Sequence, residues 1–169
     1  MNKEFPIYLR PIELEDMEYR TRWLNDQEIN SMLLITPPLS VSDSMKWYQR
    51  VLSDPNREDL TICKTEHNLP IGIIGISNIS SEHLTGEIYI YIGEKSEWGK
   101  GYAKLAIERL LDFAKSSRGI RKLYLYTLDC NEKARRIYKD LGFSYEGIYK
   151  SHVYKNGIYQ DLHIQSIFV

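Results

Sequence analysis

The segment IGEKSEWGKGYAKLAIERLL, residues 92–111, sets the frame for the whole chain. An alternating stretch, GEIYIYIG (residues 86–93), leads into it. It puts Ile88, Ile90 and Ile92 on one strand face and Tyr89 and Tyr91 on the other. After Gly99, Lys100 and Gly101 comes an apolar stripe at helical spacing: Ala103, Ala106, Ile107, Leu110, Leu111 and Ala114. A strand, a glycine turn and a helix can hold a phosphate, because a helix N-terminus offers free N–H donors and the positive end of the dipole. Glycine lets a ligand approach that backbone with no Cβ in the way. Two familiar forms fail here. A P-loop has four residues between its glycines, then Lys and Ser or Thr; here five separate Gly93 from Gly99, and Gly101 follows Lys100. The dinucleotide fingerprint needs a third glycine where Lys104 stands. The turn alone leaves two readings open, a pyrophosphate held on backbone amides and a plain strand-to-helix connection.

Working outward, FPIYLRPI (5–12) reads as a first strand and residues 13–24 as a helix with Asp16 near its start. Pro37 and Pro38 break the chain before a second helix at about 42–53. DLTICKT (59–65) and PIGIIGISNI (70–79) are strands separated by the turn EHNLP. KLYLYTL (122–128) alternates as a strand, NEKARRIYKDLGF (131–143) is a helix closed by Gly142, and residues 144–169 form a hairpin about Asn156-Gly157. The predicted order β-α-α-β-β-β-α-β-α-β-β is mixed α/β, one sheet with helices packed on it.

The bounds agree with an ordinary soluble protein. A length of 169 residues suggests one domain, 1–169. Hydrophobic residues make up 43% and charged residues 27%, enough for a packed core with a polar surface. A net charge of −1 gives no reason to expect nucleic acid as partner. The start MNKEFPIYLRPIE has no apolar leader, and no run is long enough for a membrane span. Cys63 and Cys130 fit neither a disulfide framework nor a metal motif, and His67, His83, His152 and His163 lack metal spacing. The expectation is a reduced, cytoplasmic protein with no metal.

WGKGYA (98–103), followed about 30 residues later by NEKARRIYKDLGF, resembles the GCN5-related N-acetyltransferase (GNAT) family. That family's acetyl-CoA loop reads Gln/Arg-x-x-Gly-x-Gly/Ala; this chain has Trp98 where the pattern has Gln or Arg, which leaves the N–H donors in place. The second motif, Asn-x-x-Ala-x-x-x-Tyr-x-x-x-Gly-Phe, is met by Asn131, Ala134, Tyr138, Gly142 and Phe143. The likeness runs over nearly the whole chain. Its flanks, YLRPIELEDMEYRTRWLND and GFSYEGIYKSHVYKNGIYQDLHI, are most similar to the branch of ribosomal-protein N-terminal and spermidine acetyltransferases. The resemblance implies a single mixed, mostly antiparallel sheet of about seven strands with about four helices, splayed at the cofactor site. It implies acetyl-CoA as cosubstrate, its pyrophosphate on the turn Trp98, Gly99, Lys100, Gly101, Tyr102, Ala103. Pantetheine would lie beside Ile90 and Ile92, where strand 86–93 parts from strand 121–128; Asn131, Lys133, Ala134 and Tyr138 complete the cofactor set.

Acetyl transfer to nitrogen needs a neutral amine, a polarised thioester carbonyl and a proton for the departing thiolate. Backbone N–H near Ile90 could polarise the carbonyl. Tyr138 is the family's usual acid, two helical turns after Asn131 and on the same face; alone, it would read as a half-buried aromatic. Glu87 is the candidate base, expected just before the strand on the face of Tyr89 and Tyr91, where aromatics beside an acid suit a cationic amine. A solvated strand-edge carboxylate is the other reading. His152 is a second candidate base on the hairpin. Cys130 lacks an activating neighbour and reads as a small buried residue. The acceptor side would come from helices 13–24 and 42–53 and hairpin 145–168, with Arg22, Trp23, Trp47, Tyr48, Tyr149, Tyr154 and Tyr159. The acceptor expected is a small-molecule primary amine or a protein N-terminus, and a homodimer is compatible with the reading. The alternatives are an amino-sugar nucleotide, with Arg22 and Arg50 for its phosphates, and a non-catalytic acetyl-CoA-binding module.

Overall fold

A computed structural model of the chain describes residues 5–169. Residues 1–4, part of the start read above, lie outside the described residues. The elements run β1 (Ile7–Pro11), α1 (Asp16–Asn25), α2 (Gln27–Ser31), α3 (Val41–Ser53), β2 (Glu58–Lys64), β3 (Pro70–Ser80) and β4 (Thr85–Ile92). They continue with α4 (Tyr102–Arg118), β5 (Lys122–Leu128), α5 (Glu132–Asp140), β6 (Ser144–Lys155) and β7 (Ile158–Phe168). The strands form one sheet in the order β1-β2-β3-β4-β5-β7-β6. Every neighbouring pair is antiparallel except β4 and β5. The seven strands and the order of elements along the chain match the sequence reading, which did not extend to the order of strands within the sheet; among the described residues the α-helices number five rather than four. The extra one, α2, is too short to show a period. It starts because Asp26 accepts hydrogen bonds from the N–H groups of Glu28 and Ile29 at 3.0 and 3.2 Å.

Helices cover both faces of the sheet, so its middle strands are apolar on both sides. On one face Ile88 of β4 packs with Ile74 and Ile76 of β3 against Ile107, Leu110 and Ala114 of α4 and Tyr138 of α5. On the other, Tyr91 and Ile73 meet Met17, Trp23 and Leu24 of α1, Ile29 of α2 and Val51 of α3. The alternation of β4 therefore sorts isoleucines and tyrosines between two cores. Asp16 is not a surface acid of the first helical turn. It is 1% exposed and accepts from Arg10 at 2.7 and 2.8 Å and from Thr61 at 2.7 Å, which fixes α1 to the sheet.

Trp23 anchors α1 to the end of β4. Its indole N–H donates to Glu94 at 2.9 Å, and Arg22 pairs with the same carboxylate. The ring lies so close over Gly93 that a Cβ there would come within 2.0 Å of it. Gly93 is thus required by close approach. Among the described residues no helix is long and apolar enough to cross a membrane.

Candidate active site

The site begins where pairing stops. β4 and β5 are in register only at Thr85↔Lys122, Gly86↔Leu123 and Glu87↔Tyr124, although β4 runs on to Ile92 and β5 to Leu128. The N–H of Gly93 donates to the carbonyl of Ile71 at 2.7 Å. Antiparallel ladders alternate, so in β4 the odd-numbered residues bond to β3, while the amides and carbonyls of Ile90 and Ile92 face the gap. A cavity of about 370 Å³ fills that gap. Ile90 and Ile92 line one wall, Thr127 and Leu128 the other, and Asn131, Ala134 and Tyr138 of α5 close its far side.

The glycine turn leads into α4, whose Ala103 and Ile107 line this cavity, while residues 98–102 are not part of its lining. Gly99 and Gly101 have φ of +78° and +82°, a region other residues enter only with strain. A Cβ at either would meet nothing within 4 Å, so both face open space. Helices α2, α3 and α5 have side-chain caps, and α1 carries Asp16 and Glu18 in its first turn. Helix α4 has neither a capping side chain nor an acid in its first turn. Its first N–H groups are donors left without an intrahelical acceptor. Trp98, the departure from the family pattern, turns back instead: its indole N–H donates to the carbonyl of Ile92 at 2.8 Å, fixing the turn to the strand end. Lys100 pairs with Glu97 at 3.0 Å, and that pairing holds the Glu97 carboxyl below its usual value. Ala103 lines the cavity, Tyr102 is half-buried at the start of α4, and Lys133 is exposed on the first turn of α5.

The second motif is legible as geometry. The Asn131 side chain caps α5, accepting from the N–H of Ala134 at 3.2 Å. At the other end Gly142 has φ of +92°. The N–H of Gly142 donates to the carbonyl of Lys139 and that of Phe143 to Tyr138, each at 3.0 Å. This is a Schellman closure, which brings its flanking apolar residues into contact. Here they are Tyr138 and Phe143, with ring centroids 5.4 Å apart. Gly142 and Phe143 thereby fix where Tyr138 points. Burial pushes the Tyr138 phenol well above its ordinary value, so it stays protonated through the neutral range.

Glu87 lies within β4, not before it, and lines the cavity, accepting from the Asn78 amide at 2.7 Å. Tyr126 lines the same wall; burial first, then the Glu87 charge, raises its phenol. His152 lies two rings away: it packs on Tyr149 at 5.0 Å, and Tyr149 stacks on Tyr126 at 6.3 Å. Cys130 is exposed, not buried, while Cys63 is buried. Among the described residues no group of three or more His, Cys, Asp or Glu is placed to hold a metal ion.

The acceptor side departs most from the sequence reading. Of the residues expected there, Trp47 alone lines the cavity. Arg22 and Trp23 hold Glu94, Tyr48 packs behind, and Tyr154 and Tyr159 face each other at 5.0 Å near the exposed end of the hairpin. Neither Arg22 nor Arg50 borders the cavity; Arg20 and Arg57 do. Arg57 forms a two-pronged pair with Asp59, at 2.7 and 2.8 Å, and the Tyr89 hydroxyl donates to the same carboxylate. The remaining wall is the chain between α2 and α3, residues 32–35. Lys155 of β6 holds it, donating to Asn30, Leu33 and Ile35 at 3.0, 2.5 and 2.9 Å. Burial lowers the pKa of that ammonium. These residues are far apart in sequence, and no local pattern marks them as one wall.

Comparison with known proteins decides the family. The acetyltransferase (GNAT) domain model matches residues 7–144. The chain belongs to the GNAT acetyltransferase family. Its activity class is acetyl-CoA-dependent transfer to nitrogen. It is 29% identical to a spermidine N(1)-acetyltransferase of Vibrio cholerae over 91% of this chain and 88% of that protein. It is 24% identical to a putative ribosomal N-acetyltransferase of Bacillus subtilis over 92% and 87%. The crystal structure of a V. cholerae spermidine N-acetyltransferase in complex with CoA and spermine superposes with a TM-score of 0.91, at 26% identity, over 96% of this chain and 95% of that one.

Replacing Gly142 with Ala in this acetyltransferase forces a Cβ into the left-handed region at a cost of about 1–2 kcal/mol. Because the same turn seats Tyr138, denaturant melts of Gly142→Ala should show that loss of stability, and turnover should fall by more than the unfolded fraction explains.

Proposed function

We propose that the chain, as one acetyltransferase domain, moves an acetyl group directly from acetyl-CoA to a primary amine of a small molecule or a protein N-terminus. The observation that carries this is the unpaired edge of β4 at Ile90, open to a cavity that ends at the uncapped start of α4. Pantetheine, with its amides, can add to Ile90 as a strand would. The pyrophosphate then meets the N–H groups of residues 99–103, with the helix dipole behind them. Lys100, already paired with Glu97, adds part of its charge at most. Asn131, Ala134 and Tyr138 lie along the cofactor, Lys133 at its solvent edge, and Trp98 holds the turn.

In the reaction the amine nitrogen attacks the thioester carbon, with the developing oxyanion near the Ile90 amide. The tetrahedral intermediate then collapses, and the C–S bond breaks. Glu87, directly or through a water, takes the proton the ammonium must lose. Tyr138, kept protonated by burial, donates to the departing thiolate and is reprotonated, directly or through a water, by the second proton the nitrogen loses as it becomes the amide. The names of the relatives favour a small amine. Soluble cytoplasmic residence fits that substrate class, and self-association is consistent with it. The cavity supplies an acid and an aromatic wall for an acceptor, which argues against a non-catalytic module.

Gly101→Val should abolish binding of coenzyme A in calorimetry while circular dichroism stays native, because the new side chain projects into the space left open at φ +82°. Unchanged affinity would remove the turn from the site. Tyr138→Phe should lower kcat by about 10²-fold while acetyl-CoA still binds; a fully active variant would leave Tyr138 a packing residue only. Glu87→Gln should depress kcat/KM most at low pH, where the amine is protonated and a base is needed most. An unchanged pH–rate profile would exclude Glu87 as the base.

A further inference from the structure

We infer that the acceptor amine carries an anionic group, a carboxylate or a phosphoryl, and that Arg20 is the residue that recognises it. This rests on the transfer reading above and narrows its substrate class.

Three charged side chains line the cavity: Arg20, Arg57 and Glu87. The Arg57 charge is met in full by the two-pronged bond to Asp59. Glu87 faces the cavity with a neutral amide as its partner. Arg20 is 6% exposed, and among the described residues its hydrogen bond goes to the Ser44 hydroxyl at 2.9 Å, not to a carboxylate. A guanidinium has five N–H donors and stays charged, so most of its capacity here is unmet. Burial depresses the Arg20 guanidinium, and the nearby Tyr91, Tyr89 and Asp59 offset that only in part. Burying a charge without a partner is costly, which is a reason to look for the partner in a ligand.

Two further observations point the same way. Tyr91 lines the cavity, and among the described residues its buried hydroxyl has no hydrogen-bond partner. Arg20 lines the same cavity. The Trp47 ring, the aromatic face that would suit a cationic amine, is already covered by the Arg20 guanidinium at 4.1 Å, with Arg57 at 5.8 Å. Stacking holds Arg20 in place, and with both guanidiniums on the ring it is not free for the cation of a substrate. The cavity thus offers a carboxylate for an ammonium and a guanidinium for an anion. An all-cationic polyamine would use the first and be repelled by the second.

The test compares matched amines with and without the anion: glucosamine 6-phosphate against glucosamine, and β-alanine against its amide, with spermidine as competitor. The expected result is a preference of about tenfold or more in kcat/KM for the anionic member of at least one pair. Which pair responds distinguishes phosphoryl from carboxylate. Arg20→Met should erase the preference and Arg20→Lys retain part of it, with affinity for coenzyme A unchanged in both. Equal kcat/KM within both pairs, preferred transfer to spermidine, or a preference that survives in Arg20→Met would overturn the inference. The wild-type comparison decides this even if Arg20→Met fails to fold. Calorimetric titration of the same amines into CoA-loaded protein separates the two readings. Anion-dependent binding without acetylation would sink the transfer reading and keep this one; equal acetylation of both members would do the reverse.

Discussion

Past Glu87, β4 has a neighbour on one side only. The next strand in the sheet has already turned away, and the carbonyl and amide of Ile90 face a gap in the middle of the molecule. Unpaired backbone groups inside a protein cost about as much as a lost hydrogen bond, so a gap of this kind persists only if something else enforces it. Here the flanking elements do. β5 is held in full register by β7 along its whole length and cannot swing back. The indole of Trp98 donates to the Ile92 carbonyl and ties the turn to the end of β4. The cavity, the start of α4 and the position of α5 all follow from that one divergence.

The two glycine-dependent turns serve this geometry differently. At Gly99 and Gly101 the left-handed backbone leaves the first amides of α4 uncapped and facing open space. At Gly142 the same backbone region does structural work, folding Phe143 back onto Tyr138 and setting the phenol against the cavity from inside the core. One turn presents donors; the other positions a phenol that burial keeps protonated.

Much of this was legible in residues 86–143. The alternation of Ile and Tyr in β4 separates its two faces because a strand has a period of two, and the structure assigns those faces to separate cores. The Asn131 to Phe143 spacing is legible because cap, face and closure are all local in sequence. What sequence could not show is whatever depends on three-dimensional packing. Arg20 and Arg22 stand two residues apart on one helix, yet only Arg20 points at the cavity, and nothing in their local context separates them. Arg20, Ser44, Trp47, Arg57 and Asp59 meet only when α1, α3 and β2 assemble. Trp23 looked like part of an aromatic wall because exposure cannot be read from residue type; its ring is spent on Gly93 and Glu94.

That contact between Trp23 and Gly93 also constrains how the protein can change over generations. With the indole in place, any side chain at 93 would overlap it at 2.0 Å, so a first step at 93 passes through a damaged intermediate. A first step at 23, to a smaller residue, leaves a void that a later side chain at 93 could fill. The order of the two steps therefore matters, and descendants that carry a bulkier residue at 93 should already have given up the tryptophan, and with it the indole's bond to Glu94.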